Sequence, residues 1–252
     1  MKPIRALLLL TVLHTPAWAL DVPAQLQWSQ RVELSTSVSG IVQTVHANVG
    51  ERVKKGQVLA TLDASGYQAQ VAESQAVIAR QKEEQFDAKR NLDRVEELYK
   101  RTVISTSELE AAQTRHVRAM AQLNEVQALL RRAQKTLGDA TLRAPFDALI
   151  LARRVEPGQI VASQFQPQAL FVVARAGEMI ARAKLNLAQI ETLKIDDALS
   201  VEVNRQVYRG KVKTLGLEPP VGEKSDSGYP VEVLFAVKDV LRAGTPAVVK
   251  LP

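Results

Sequence analysis

YQAQVAESQAVIARQKEEQFDAKRNLDRVEELYKRTVISTSELEAAQTRHVRAMAQLNEVQALLRRAQKTL, residues 67–137, contains neither proline nor glycine. A run of 71 residues without the two strongest breakers of regular structure is best explained by long helices. In its second half Leu109, Ala112, His116, Ala119, Leu123, Val126, Leu130, Ala133 and Leu137 follow one another at alternating spacings of three and four, a heptad seam. In its first half Tyr67, Val71, Ser74, Ile78, Gln81, Gln85, Ala88, Leu92, Val95 and Tyr99 keep the same rhythm with a more polar middle. Glu96 with Lys100, and Glu97 with Arg101, stand in the favourable i,i+4 order. Thr102-Val103-Ile104 separates the halves and is β-branched throughout, which is poor for helix. Ser105 with Glu108 three residues on forms a capping box that starts a second helix. The reading is a hairpin over 64–138 with its tip near 101–105. Each arm has roughly 30 to 35 residues and is about 50 Å long.

Working outward, both flanks are rich in Val, Gly and Pro and read as β. Residues 39–53, SGIVQTVHANVGERV, and 147–161, DALILARRVEPGQIV, align at a shift of 108: Ile41 on Leu149, Val42 on Ile150, Gly50 on Gly158, Val53 on Val161. Each copy is an apolar strand, a few polar residues, a glycine turn and a second strand, which argues for a pseudo-symmetric sandwich of two half-motifs. Gly40, Gly50, Gly56 and Gly158 are taken as its structural turns. The fold class expected is α+β. A helical hairpin, 64–138, is inserted into a β-domain split into 36–63 and 139–175, followed by a small β-barrel of 20–35 plus 176–252. In the barrel Met179 to Leu187 alternates, Asn186 is placed to cap a short helix through Lys194, and strands are expected at 199–203, 208–214, 229–237 and 247–251. Pro219-Pro220 and Gly222 to Gly228 mark a loop.

At the start, Lys2 and Arg5 precede an apolar run, Ala6 to Leu13, then Pro16 and Ala17-Trp18-Ala19. That is the layout of a secretory signal peptide cleaved after Ala19, leaving 233 residues and a formal charge of +4 instead of +6. The run is shorter than the ~20 residues a bilayer span needs. The chain has no cysteine, so disulfides and an N-terminal Cys lipid anchor are excluded. No dense Lys/Arg patch with interleaved aromatics supports nucleic-acid binding. His46 and His116 are isolated, and His116 falls on the seam. With no Ser/His/Asp spacing, phosphate-binding loop or apolar carboxylate pair, no enzyme activity, cofactor or metal site is expected.

Ser39-Gly40, Val42, Val45, Val49-Gly50, Val53, Gly56, Leu59 and Leu62-Asp63 resemble the first half of a biotinyl/lipoyl domain. Leu142 to Ala148 with Val155 and Pro157-Gly158 resemble its second half. Carriers of that fold join the halves by a short hairpin bearing a modified Lys; here the joint is the 64–138 insert, with no Lys at the turn. The whole order is similar to the periplasmic adaptors, or membrane fusion proteins, of Gram-negative tripartite systems, both HlyD-like and of resistance-nodulation-division pumps. The resemblance implies a periplasmic protein peripheral to the inner membrane that self-associates into a hexameric ring. It would link an inner-membrane transporter, of resistance-nodulation-division or ABC type, to a TolC-type outer-membrane channel. It also implies a role for Arg94, Leu98 and Ser105, which match the Arg, Leu and Ser of hairpin tips that engage such channels. Taken singly, Arg94 also reads as a solvated cation, Leu98 as a seam residue and Ser105 as the N-cap alone. Larger members add a β-domain built from both chain ends, whereas here the sequence runs to Pro252 directly after the last barrel strand. No substrate code is visible. Two other functions stay open: a lipoyl or biotinyl carrier subunit of an enzyme complex, against which the missing Lys counts, and an envelope binding protein that uses the coiled coil only for self-association.

Overall fold

The computed structural model describes residues 20–163, 168–219 and 228–251. The expected signal peptide and most of the loop beyond Pro219 lie outside them. In chain order the elements are β1 (Leu20–Trp28), β2 (Arg31–Leu34), β3 (Gly40–Val45), β4 (Arg52–Val53), β5 (Val58–Leu62), α1 (Ser65–Lys100) and α2 (Thr106–Asp139). Then come β6 (Thr141–Arg143), β7 (Ala148–Arg153), β8 (Ile160–Val161), β9 (Phe171–Arg175), β10 (Glu178–Leu185) and α3 (Leu187–Ile190). β11 (Ala198–Val203), β12 (Gln206–Leu215), β13 (Tyr229–Ala236) and β14 (Pro246–Leu251) complete the chain. Two units result: Arg31–Ala176 is one, and residues up to Gln30 with those from Gly177 onward form the other.

In the unit Arg31–Ala176, two four-stranded sheets, β2-β9-β7-β4 and β6-β5-β3-β8, enclose one core. Val42, Leu59, Ile150, Val161, Phe171 and Val173 are fully buried there. Each such side chain contributes about 1.5–3 kcal/mol of apolar burial. The repeat at shift 108 is a physical two-fold. The Gly50 N–H donates to the Ile150 carbonyl (2.8 Å), and the equivalent Gly158 N–H donates to the Val42 carbonyl (2.8 Å). In return the Ile150 N–H reaches the Glu51 carbonyl (3.0 Å) and the Val42 N–H the Gln159 carbonyl (2.8 Å). Strand pairs exchange likewise: Gly40 opposes Val161 as Ala148 opposes Val53. Even the register shifts coincide, between Val42 and Thr44 in one half and Ile150 and Ala152 in the other. Each half therefore completes the other, and neither closes its own sheet.

Two expectations are corrected here. Residues 31–34 do not join the barrel: β2 pairs with β9, Leu34 opposite Phe171, as the symmetry mate of β6, where Leu142 opposes Ala60. The repeat thus starts earlier than Ser39, because its first strand is short and half polar. Gly40 is not a turn: it opens β3 in extended backbone, and of the four glycines only Gly50, Gly56 and Gly158 have positive φ, at 84°, 81° and 86°.

The hairpin leaves this unit between Asp63 and Ala140. Every buried residue of the two long helices lies on the expected seam: Ser74, Ala88 and Leu92 on α1, and Ala112, Ala119 and Ala133 on α2. Small residues let the backbones approach closely, and the outer faces remain charged. Lys100 pairs with Glu97 at 3.3 Å rather than with Glu96, an i,i+3 bridge. Where α1 begins, Ala64 offers no side-chain cap, and the Asp63 carboxylate accepts the Ser65 N–H instead (3.0 Å). This bond holds the Asp63 carboxyl below its usual pKa.

The other unit is a closed six-stranded barrel in the order β1-β10-β13-β12-β11-β14. Leu26, Met179, Leu185, Val201, Val212, Val233, Phe235 and Val249 fill it, each alternating with an outward polar or small neighbour. On β10, Arg182 and Lys184 face out while Ala181, Ala183 and Leu185 face in, as the alternation predicts. Asn186 and Gln189 form the expected reciprocal capping box (2.9 Å each way). The helix it starts ends at Ile190, not Lys194.

Candidate functional site

The hairpin tip is assembled from two helix ends. α1 stops in a Schellman arrangement. The Val103 N–H donates to the Leu98 carbonyl (3.1 Å) and the Thr102 N–H to the Tyr99 carbonyl (2.9 Å). This requires a left-handed residue at Thr102, whose φ is 59°. A β-branched side chain is strained in that region, where glycine usually sits. α2 then starts on the expected capping box: the Glu108 N–H donates to Ser105 Oγ (3.3 Å), and the Ser105 N–H to Glu108 Oε2 (3.0 Å). Leu98 and Ser105 therefore belong to one tightly bonded turn. Arg94 lies a helical turn below Leu98 on the same face, exposed, with its guanidinium on Asn91 Oδ1 (2.7 Å). All three tip residues stand at the end of the hairpin, but Arg94 is not hydrogen-bonded to Ser105. Leu98 is half-buried against the turn.

The tip also presents apolar surface that sequence reasoning did not single out. Val103 is 65% exposed and Tyr99 40%. The signal for Val103 in the sequence is the β-branched run itself, which reads only as a helix break until the left-handed Thr102 turns Val103 outward, whereas Tyr99 ends the heptad seam of α1.

At the base the hairpin is tied to its sheets by side chains. Tyr67 donates to the Ser39 carbonyl (2.5 Å), and Ser37 donates to Asp139 Oδ2 (2.9 Å), which also accepts Lys135 Nζ (2.5 Å). The Lys135 bond first, and the Ser37 bond after it, hold the Asp139 carboxyl below its usual pKa. His116 does lie on the seam, half-buried, with Nδ1 enclosed and unpartnered. Among the described residues no group of three or more His, Asp or Glu could hold a metal ion, and no helix is long and apolar enough to cross a membrane.

A split sandwich carrying a helical hairpin has a counterpart among known families. Residues 30–175 match the family described as CzcB-like, barrel-sandwich hybrid domain. The chain belongs to that family. Multidrug resistance protein MdtA of Escherichia coli O45:K1 is 28% identical over 132 residues, 52% of this chain and 32% of the relative. MdtA of Klebsiella pneumoniae is 27% identical over the same shares. The matched stretch thus spans about a third of the length of these curated relatives. Among solved structures, a MacA–MexA chimera carrying the Pseudomonas aeruginosa MexA α-hairpin domain superposes with a TM-score of 0.67 at 20% identity, covering 92% of this chain and 80% of that one. The membrane fusion protein Spr0693 of Streptococcus pneumoniae R6 gives 0.67 at 13% identity, covering 91% and 97%. At such identities these likenesses bear on fold alone.

Proposed function

We propose that this barrel-sandwich hybrid protein is the periplasmic adaptor of a tripartite efflux or secretion system, joining an inner-membrane transporter to a TolC-type outer-membrane channel. The observation that carries the reading is the hairpin: a long arm whose end holds Leu98 and Ser105 in one bonded turn, with Arg94 one helical turn below Leu98 on the same face. Arg94 can bond the free carbonyls and polar side chains of a helical channel end, Leu98 supplies an apolar contact, and Ser105 serves as both cap and contact. The split sandwich is read as lipoyl-like, with the arm standing where a carrier domain would hold its modified Lys. The chain is exported by its signal peptide, stays peripheral to the inner membrane, and self-associates into a ring, expected as a hexamer, that forms a conduit. The energy of transport comes from the inner-membrane pump. The names of the relatives are those of multidrug resistance proteins, which favours efflux as the process.

The test is export by cells carrying Arg94→Asp or Leu98→Asp. Export is expected to fall to the level of cells lacking the protein, with periplasmic abundance and melting temperature unchanged. Normal export in both variants removes the tip assignment.

A further inference from the structure

The base of the hairpin holds a cleft that has no part in the tip. Its volume is about 820 Å³, and one unit alone builds it, from the start of β3, the first turns of α1 and the last turns of α2. The α1 wall runs from Ser65 to Val77, about 18 Å at the helical rise. Val77, Val126 and Leu129 make the end toward the tip apolar, and Ile41 and Tyr67 line the end toward the sheets. Ile41 and Leu129 are 50% and 51% exposed, so two large aliphatic side chains of the lining stand in contact with water. A concave, mainly apolar slot of roughly 300–1,000 Å³ with a few polar groups is the form a small-molecule site takes.

We propose that this cleft binds a lipophilic organic cation. The proposal does not depend on the adaptor reading, which stands whether or not the chain itself holds a ligand. Charge decides the class of ligand. The charged residues of the lining are Asp63, Glu73 and Arg132, two carboxylates against one guanidinium, so its net charge is −1. The Ser65 N–H holds the Asp63 carboxyl below its usual pKa, so this group is ionised at neutral pH. Glu73, on α1, accepts a bond from the Gln70 amide (3.2 Å), a neutral donor that leaves the negative charge in place. Tyr67 is fixed by the bond from its hydroxyl to the Ser39 carbonyl, and an aromatic ring attracts a cation over its face. Arg132 stands exposed on the α2 wall, where it opposes a bound cation without offsetting both carboxylates. An apolar molecule with one positive charge matches both the aliphatic lining and its net charge. An anion of the same shape matches only the first.

Isothermal titration calorimetry of the purified chain with tetraphenylphosphonium and with tetraphenylborate, which share one shape and differ in sign, tests this. The whole chain is basic, +6 by formal count, so unspecific adsorption favours the borate. The phosphonium is expected to saturate one site and to bind it about threefold or more tightly than the borate. Glu73→Gln should weaken phosphonium binding about three- to fivefold, and Arg132→Gln should strengthen it by a similar factor, the effect of one exposed charge. Val77→Trp fills the slot and should abolish binding with the melting temperature unchanged. Leu129→Gln, at a half-exposed position that leaves the seam intact, should weaken binding as well and serves where the tryptophan disturbs folding. Tighter binding of the borate, or weaker phosphonium binding in Arg132→Gln, overturns the proposal by its sign. Phosphonium binding that neither Val77→Trp nor Leu129→Gln alters lies elsewhere on the chain and overturns the site. The absence of saturable binding overturns it too, and the export test of the tip variants still decides the adaptor reading by itself.

Discussion

Gly50 and Gly158 do the same physical work in the two halves of the sandwich. Each holds a φ near 85° in a turn whose N–H bonds the opposite half, and an added Cβ would meet nothing within 4 Å at either site. The cost of replacing them is therefore backbone strain without a steric clash. Gly50→Ala and Gly158→Ala should each destabilise this unit by about 1–2 kcal/mol, and by similar amounts. Gly40→Ala should be near neutral, since Gly40 is extended and its Cβ would sit 3.5 Å from Leu62 Cβ, an ordinary contact. Chemical denaturation separates the two outcomes, and an equal loss at Gly40 would contradict the assignment. The glycine at 40 differs from the turn the sequence predicts because composition reports where glycine is, not which φ it adopts. Gly50 and Gly158 were legible because their partner positions repeat at a fixed shift.

At the scale of the element, the hairpin depends on its base as well as on its seam. The Asp139 carboxylate joins Lys135 to Ser37, and its pKa is lowered in the folded chain. A carboxyl depressed on folding contributes stability that is fully present above its unfolded pKa of about 3.9 and is lost as pH falls through the folded value. Lys135 is mostly exposed, so screening limits the contribution to less than about 1 kcal/mol. Asp139→Asn should therefore lower the denaturation midpoint at pH 7, and the gap from wild type should shrink below pH 4. A gap of constant size across that range would show that the charge is not involved. The seam is legible in the sequence, since all six buried hairpin residues fall on the heptad rhythm. Thr102 was not, because a left-handed β-branched residue contradicts local preference and persists only where two helix ends demand it.

At the scale of the molecule, arm length is the quantity under test. Deleting one heptad from α1 and the facing heptad from α2 keeps the seam in phase and shortens the arm by about 10 Å. The sandwich closes through bonds between its own halves, so its melting temperature should be unchanged. Export should fail, because the tip no longer reaches its partner when the base stays in place. Retained export would show that reach is not the arm's role. Loss of folding would show that the hairpin contributes to closing the sandwich.

Sequence by itself determined the long helices, their seam, the tip at Ser105 and the pairing of two β-halves, because these depend on local propensity and on periodicities written along the chain. Tertiary structure decided the rest. Strand β2 carries too short and too polar a pattern to announce its sheet, and it is assigned only by the edge of β9 that it completes. Val103 and Phe86 look alike on paper as stray apolar residues, and only folding shows one held out by a strained turn and the other exposed on α1 with the Arg90 guanidinium over its ring. Burial and backbone handedness are properties of the closed chain, and no window of sequence contains them.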